Sequence, residues 1–90
     1  MIIKIDVKKV CEISNYWGDK MPMMAMEEAG ELIQAISKVE RKKSNKAREN
    51  LIEEIRDMYI SLMAIQYRYG ITVTEIQKAI DEKVNTKKED

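Results

Sequence analysis

Glu28 and Glu31 stand three residues apart, and Glu54 and Asp57 repeat that spacing. Residues three apart share a helix face. If both segments are helical, each pair aims two carboxylates in nearly one direction. Such a set of oxygen donors suits a hard divalent cation, Mg²⁺ with Mn²⁺ as a substitute. Little else in the chain could do chemistry. It has no histidine and one cysteine, Cys11. That excludes Ser-His-Asp, Cys-His and His-ligated zinc chemistry together, and with them an intrachain disulfide or a CxxC site. Any reaction must run on carboxylates, lysines, arginines and tyrosines. Cys11 reads as a small buried hydrophobe.

Ninety residues make one domain, spanning 1–90, with a modest core. Sixteen basic and sixteen acidic residues cancel, which argues against a dedicated nucleic-acid or membrane-surface binder. No apolar run approaches the roughly 20 residues that span a bilayer. The opening Met-Ile-Ile-Lys-Ile-Asp is too short for a signal-peptide core. The expectation is a soluble cytoplasmic protein.

The acids need rigid elements to position them. Three glycines and one proline leave few breakers, so the chain reads as all-α. Asp6 is placed to cap a first helix from Val7 to Trp17, followed by Gly18. Pro22 suits the first turn of a second helix. Arg41 to Lys46 reads as a polar break. A third helix runs from about Ala47 to Tyr69 and stops at Gly70. Thr72 and Glu75 match a capping box for a fourth, which fades into a polar tail expected to fray.

On a helical wheel the acids fall in unexpected places. With Glu28 as origin, Val39, Leu32, Ala25 and Ile36 lie within roughly 80° on one side, and Ala35 and Met24 within roughly 40° on the other. Glu28 thus points along the apolar stripe. Glu31 lies on its flank, and Glu27 further round beside Gln34 and Lys38. With Glu54 as origin, Ala47, Ile65, Met58, Leu51 and Tyr69 cluster within roughly 60°, and Asp57 has the offset that Glu31 has from Glu28. An ordinary ExxE is a solvated face. Here each leading acid points where core belongs, and burying carboxylates together is costly without cations. A divalent metal answers that need; a structural salt-bridge cluster is the alternative.

The other helices add two features. Lys83 and Lys87 lie on the same side of helix four as Ile76, Ile80 and Val84. They either snorkel to water or meet a polyanion beside the metal. Helix three is apolar nearly all round from Met58 to Tyr67, through Tyr59, Ile60, Met63 and Ala64. In so short a chain the second face reads as an oligomer interface.

Glu27-Glu28-Ala29-Gly30-Glu31-Leu32, followed by Glu54-Ile55-Arg56-Asp57, resembles the EExxE…ExxD signature of the MazG-like all-α nucleotide pyrophosphohydrolases. The likeness covers roughly residues 15–88, and the separation of the halves is within the range that superfamily tolerates. It implies a four-helix MazG-like bundle completed by oligomerisation, as homodimer or homotetramer. It also implies Mg²⁺-dependent hydrolysis of a (deoxy)nucleoside triphosphate to the monophosphate and pyrophosphate, in house-cleaning or nucleotide-pool control. The metal ligands carry over to Glu28, Glu31, Glu54 and Asp57. Glu27 matches the leading glutamate, and Glu27 and Glu31 are the contenders for general base. Phosphate contacts carry over to Lys83 and Lys87, although the arginine often found in that tail is missing. The base is expected near Asn15, Tyr16 and Trp17, with Gln34 and Lys20 as further polar contacts. Trp17 is equally readable as a rim aromatic that seals the core.

Two alternatives remain open at this level. One is a phosphoribosyl-ATP pyrophosphohydrolase, which the Glu-Glu-Ala-Gly-Glu form and the missing histidine fit less well. The other is a non-catalytic helical dimerisation module built on helix three.

Overall fold

The computed structural model describes residues 2–87, the side chain of Lys87 excepted. The described chain is helical, with four α-helices and one short 3₁₀ turn. Helix α1 is Val7–Trp17. The Asp6 carboxylate accepts the Lys9 amide at 3.2 Å, which satisfies one of the free N–H groups at the helix start. Gly18, at φ +53°, ends it and opens the 3₁₀ turn Gly18–Lys20. Helix α2, Met21–Lys42, follows directly with Pro22 in its first turn.

Helix α2 is longer than the polar composition of residues 41–46 implies. Arg41 and Lys42 stay helical, as cations in a last turn favourably meet the carbonyl end of the helix dipole. The break shrinks to two residues. Lys43 takes the left-handed conformation, φ 48°, and donates its amide to the Val39 carbonyl at 2.9 Å. The Ser44 hydroxyl then accepts the Ala47 amide at 3.1 Å and starts α3, Asn45–Arg68. Helix α3 ends in a Schellman motif. The Gly70 amide donates to Tyr67 at 3.2 Å and the Ile71 amide to Gln66 at 2.9 Å, with Gly70 at φ +64°. The expected capping box opens α4, Val73–Lys87: the Thr72 amide donates to the Glu75 carboxylate at 2.7 Å, and the Glu75 amide to the Thr72 hydroxyl at 3.1 Å. The tail expected to fray begins at Asn85, but residues 85–87 still belong to α4; residues 88–90 lie outside those described.

Because the α2–α3 link is so short, the two helices pack side by side as an antiparallel pair. Helix α1 lies on α3, where the buried Ser14 hydroxyl donates to the Ala64 carbonyl at 3.3 Å. The core is small: Val10, Met21 and Ala64, flanked by Ile5, Trp17, Met24, Ala25, Ile60, Met63 and Ile65. The Arg68 guanidinium donates to the Gly18 carbonyl at 2.7 Å and to the Asp19 carboxylate at 3.3 Å, tying the end of α3 to the 3₁₀ turn. Cys11 is half-buried rather than buried. No described helix is long and apolar enough to cross a membrane.

Helix α4 has no place in this core. Residues 67–86 are all exposed, and α4 packs extensively on none of the other helices. Within one chain the packed unit is therefore three-helical.

Candidate metal centre

Helix periodicity turns Glu28 inward from α2 and Glu54 and Asp57 inward from α3, and the antiparallel pairing brings them level. One carboxylate oxygen from each of the three lies within 4.8 Å of the others. Glu28 Oε2 and Glu54 Oε2 are buried and have no hydrogen-bond partner. Buried polar atoms are nearly always paired, so two orphaned oxygens at one point call for an explanation.

The electrostatics agree with the geometry. Burial raises the Glu28 carboxyl above the ordinary glutamate value, and the charges of Glu31, Asp57 and Glu27 raise it further, against the opposing pull of Arg56. Burial likewise raises Glu54, helped by the adjoining carboxylate of Glu31 and then by Asp57 and Glu28. Asp57 has a cation of its own: Arg56 Nε donates to Asp57 Oδ1 at 2.9 Å. That guanidinium is largely exposed and bonds to Asp57 but to neither glutamate, whose charges it offsets only at a distance.

The donor set fits a hard divalent cation. Every donor is a carboxylate oxygen, with no imidazole or thiolate at the site. Glu28, Glu54 and Asp57 would hold such an ion; Glu31 is exposed and stands beside Glu54.

A cavity opens on each side of the acids. On one side Ile13, Trp17, Met21, Met24, Ile60 and Ser61 join Glu28 and Asp57 around about 170 Å³. This is well below the ~300–1,000 Å³ of a typical small-molecule pocket, so it suits one ring rather than a whole ligand. On the other side Glu31 and Glu54 border a polar groove of about 510 Å³, with Gln34, Ser37, Lys38, Arg41 and Asn50.

The residues expected at a site therefore divide. Glu28, Glu54 and Asp57 converge, Glu31 adjoins them, and Glu27 is exposed and acts on Glu28 through its charge. Trp17 lines the apolar cavity beside Glu28. Gln34 lines the polar groove, so it and Trp17 flank the acids from opposite sides. Asn15 is exposed and borders neither cavity, and Lys20 is exposed at the end of the 3₁₀ turn. Lys83 is exposed on α4, so the fold of one chain does not carry it to the acids. The Lys87 side chain lies outside the described atoms.

Sequence reasoning passed over Lys38, Arg41, Asn50 and Arg56 as site residues. A signal for the first three was present: Glu31, Gln34, Lys38 and Arg41 follow helical spacing, and Asn50 lies one turn before Glu54. Arg56 gave none, since neighbouring residues on a helix do not face each other. No family model, curated protein or solved structure matches the chain.

Proposed function

We propose that this chain is a divalent-cation-dependent pyrophosphohydrolase of nucleoside or deoxynucleoside triphosphates, releasing the monophosphate and pyrophosphate. The observation that carries the reading is the convergence of Glu28, Glu54 and Asp57 with two buried, unpartnered oxygens among them. The resemblance of Glu27–Leu32 and Glu54–Asp57 to the MazG-like signature supports it, as does the division of the surroundings into a ring-sized apolar cavity and a polar groove.

Mg²⁺ or Mn²⁺, when bound, supplies neutralisation of the phosphates, polarisation of the attacked phosphoryl group and a more acidic water. The chain's own residues do the rest. Glu28, Glu54 and Asp57 would hold that cation at a fixed place on the helix pair, and positioning with electrostatics is most of what phosphoryl transfer requires. Arg56 holds the Asp57 carboxylate in one orientation. Glu31, exposed beside Glu54, is better placed than Glu27 to take the proton from the attacking water. Trp17 gives the base an apolar wall next to the acids.

A homo-oligomer belongs to the same proposal. A mostly apolar cleft of about 500 Å³ runs between the N-terminal segment, α1 and the outer face of α3, past Ile3, Ile5, Ile13, Ile52, Ile55 and Tyr59. Helix α4 meanwhile exposes Val73, Ile76, Ile80 and Val84. Covering these faces with a second copy would extend the three-helix unit and could bring Lys83 to a neighbour's acids.

The test of activity is a screen of all ribo- and deoxyribonucleoside triphosphates with Mg²⁺, scored by pyrophosphate release. Pyrophosphate from at least one of them, abolished by a chelator, is expected. No release from any, or release indifferent to chelation, overturns the reading.

A further inference from the structure

We propose that the groove between α2 and α3 is a track for a polyphosphate chain, ending in an anion subsite formed by Lys38, Lys42 and Lys46 at the α2–α3 turn. Its acidic end rests on the hydrolase reading above; its cationic end stands on separate observations.

Beyond the polar groove lies a second cavity of about 290 Å³, lined by Lys38, Lys42, Ser44, Lys46, Ala47 and Asn50. Three of these are lysines and none is a carboxylate. Lys38 and Asn50 line both cavities, so the two adjoin. Asn50 lies one turn, about 6 Å, from Glu54, and Lys46 lies one turn further. The path thus runs from carboxylates, past Arg41 and Asn50, to lysines alone.

Among the described residues none of Lys38, Lys42, Lys46 and Arg41 has an acidic partner; the lysine pair at this turn is Lys43 with Glu40, at 3.7 Å. The Ala47 amide is already taken by Ser44, and the charge of the subsite comes from the lysines. All three lysines are exposed, and their combined positive potential around one cavity favours an anion there. Buried carboxylate oxygens at one end call for a cation, and exposed lysines at the other attract anions. A short chain of linked phosphates, neutralised by a divalent cation at one end and by the lysines at the other, would satisfy both. A nucleic-acid backbone fits less well, because its phosphates would have to continue past the acids and the chain has no net positive charge.

The subsite gives the lysines of α2 and α3 the role that the sequence assigned to Lys83 and Lys87. Inorganic tripolyphosphate is the probe, titrated calorimetrically into the full chain with and without Mg²⁺. The Lys42→Gln/Lys46→Gln variant should bind it at least about tenfold more weakly under both conditions, since it loses two charge-assisted contacts. Its Mn²⁺ affinity should stay unchanged and its fold should persist, with a melting temperature within a few degrees of the parent's. Lys38→Gln, at the junction of the cavities, should show the same direction. Equal affinity of the double variant and the parent for tripolyphosphate overturns the subsite while leaving hydrolysis intact. Conversely, a chain that hydrolyses no nucleotide but loses tripolyphosphate binding on Lys42→Gln/Lys46→Gln sinks the hydrolase and keeps the subsite. Tighter binding of a single-stranded oligothymidylate than of tripolyphosphate overturns the assignment in favour of nucleic acid.

Discussion

Glu28 on α2 and Asp57 on α3 face each other across the helix pair, with carboxylate oxygens within 4.8 Å and Glu54 completing the group. They are twenty-nine residues apart in the chain, and only the tight turn at Lys43–Ser44 brings them level. Arg56 bonds to Asp57, so the acid on α3 is held in place while Glu28 and Glu54 keep oxygens without partners. That asymmetry leaves the glutamates as the side of the cluster most in need of an external cation.

The first prediction is a metal-dependent stability. A ligand that binds only the folded state at a hundred times its Kd stabilises by about 2.7 kcal/mol. A domain of this size gains roughly 4–8 °C per kcal/mol. Mg²⁺ or Mn²⁺ at that degree of saturation should therefore raise the melting temperature by roughly 10–20 °C in a thermal scan. Glu54→Gln should melt higher than the parent without metal, because it removes one of several clustered negative charges, and should lose most of the metal increment. A full increment in Glu54→Gln would place the cation elsewhere.

The second prediction concerns turnover. Asp57→Asn keeps the size of the side chain but removes its charge and weakens its bond to Arg56. Pyrophosphate release should fall by at least about a hundredfold, while the far-ultraviolet helix signal persists. Glu31→Gln should lower kcat with less effect on KM, since Glu31 stands outside the close group. Activity that survives Asp57→Asn within threefold would remove Asp57 from the site.

How much of this was legible in advance follows from what each residue had to reveal. The inward acids were visible because helical period alone turns Glu28 and Glu54 into apolar stripes. The caps at Asp6 and Thr72 were visible because capping is local chemistry. The length of α2 was not, because Arg41 and Lys42 are as suited to a helix end as to a loop; the choice was made by Lys43 adopting a left-handed conformation just before Ser44 caps α3. The place of Lys83 was not visible either. Wheel geometry puts it on the apolar side of α4 but says nothing about what that side touches, and within one chain it touches little.

The third prediction separates base from phosphate recognition. Trp17 lines the ring-sized cavity and also flanks the core. Trp17→Phe should preserve the fold but raise KM for the best nucleotide, by up to the tenfold or more that corresponds to roughly 1–3 kcal/mol of stacking. Tripolyphosphate binding should not change. A parallel loss of both would mean that Trp17 serves packing alone.

The fourth prediction is a pH effect confined to α4. The Thr72 amide and hydroxyl both donate to Glu75 and hold its carboxyl below the ordinary glutamate value. An acid with a lowered folded pKa contributes stability above its unfolded pKa, and that contribution is lost as pH falls through the folded value. Because α4 has little packing to hold it, the protection of its amides, taken relative to the intrinsic exchange rate at each pH, should fall on acidification below the ordinary glutamate range, before the α1–α3 core responds. Glu75→Gln retains a capping-box side chain but cannot titrate, so its α4 exchange should show no such step. An equal step in parent and variant would assign the effect to another acid.

The fifth prediction takes the uncovered apolar faces together. Ile52, Ile55 and Tyr59 are exposed on α3, and Val73, Ile80 and Val84 on α4. Exposed apolar faces of this kind mark association sites. The protein should sediment as a dimer or larger at micromolar concentration. Ile52→Lys/Ile55→Lys should shift it to monomer, because a lysine pair facing its own symmetry copy repels as well as removing buried area. If the acids of one copy need Lys83 of another, the monomeric variant should also lose pyrophosphate release while still binding Mn²⁺. Sedimentation of the parent as a stable monomer at micromolar concentration would end the oligomer reading. A monomeric variant with undiminished turnover would limit the site to one chain and give the phosphates to the lysines of α2 and α3.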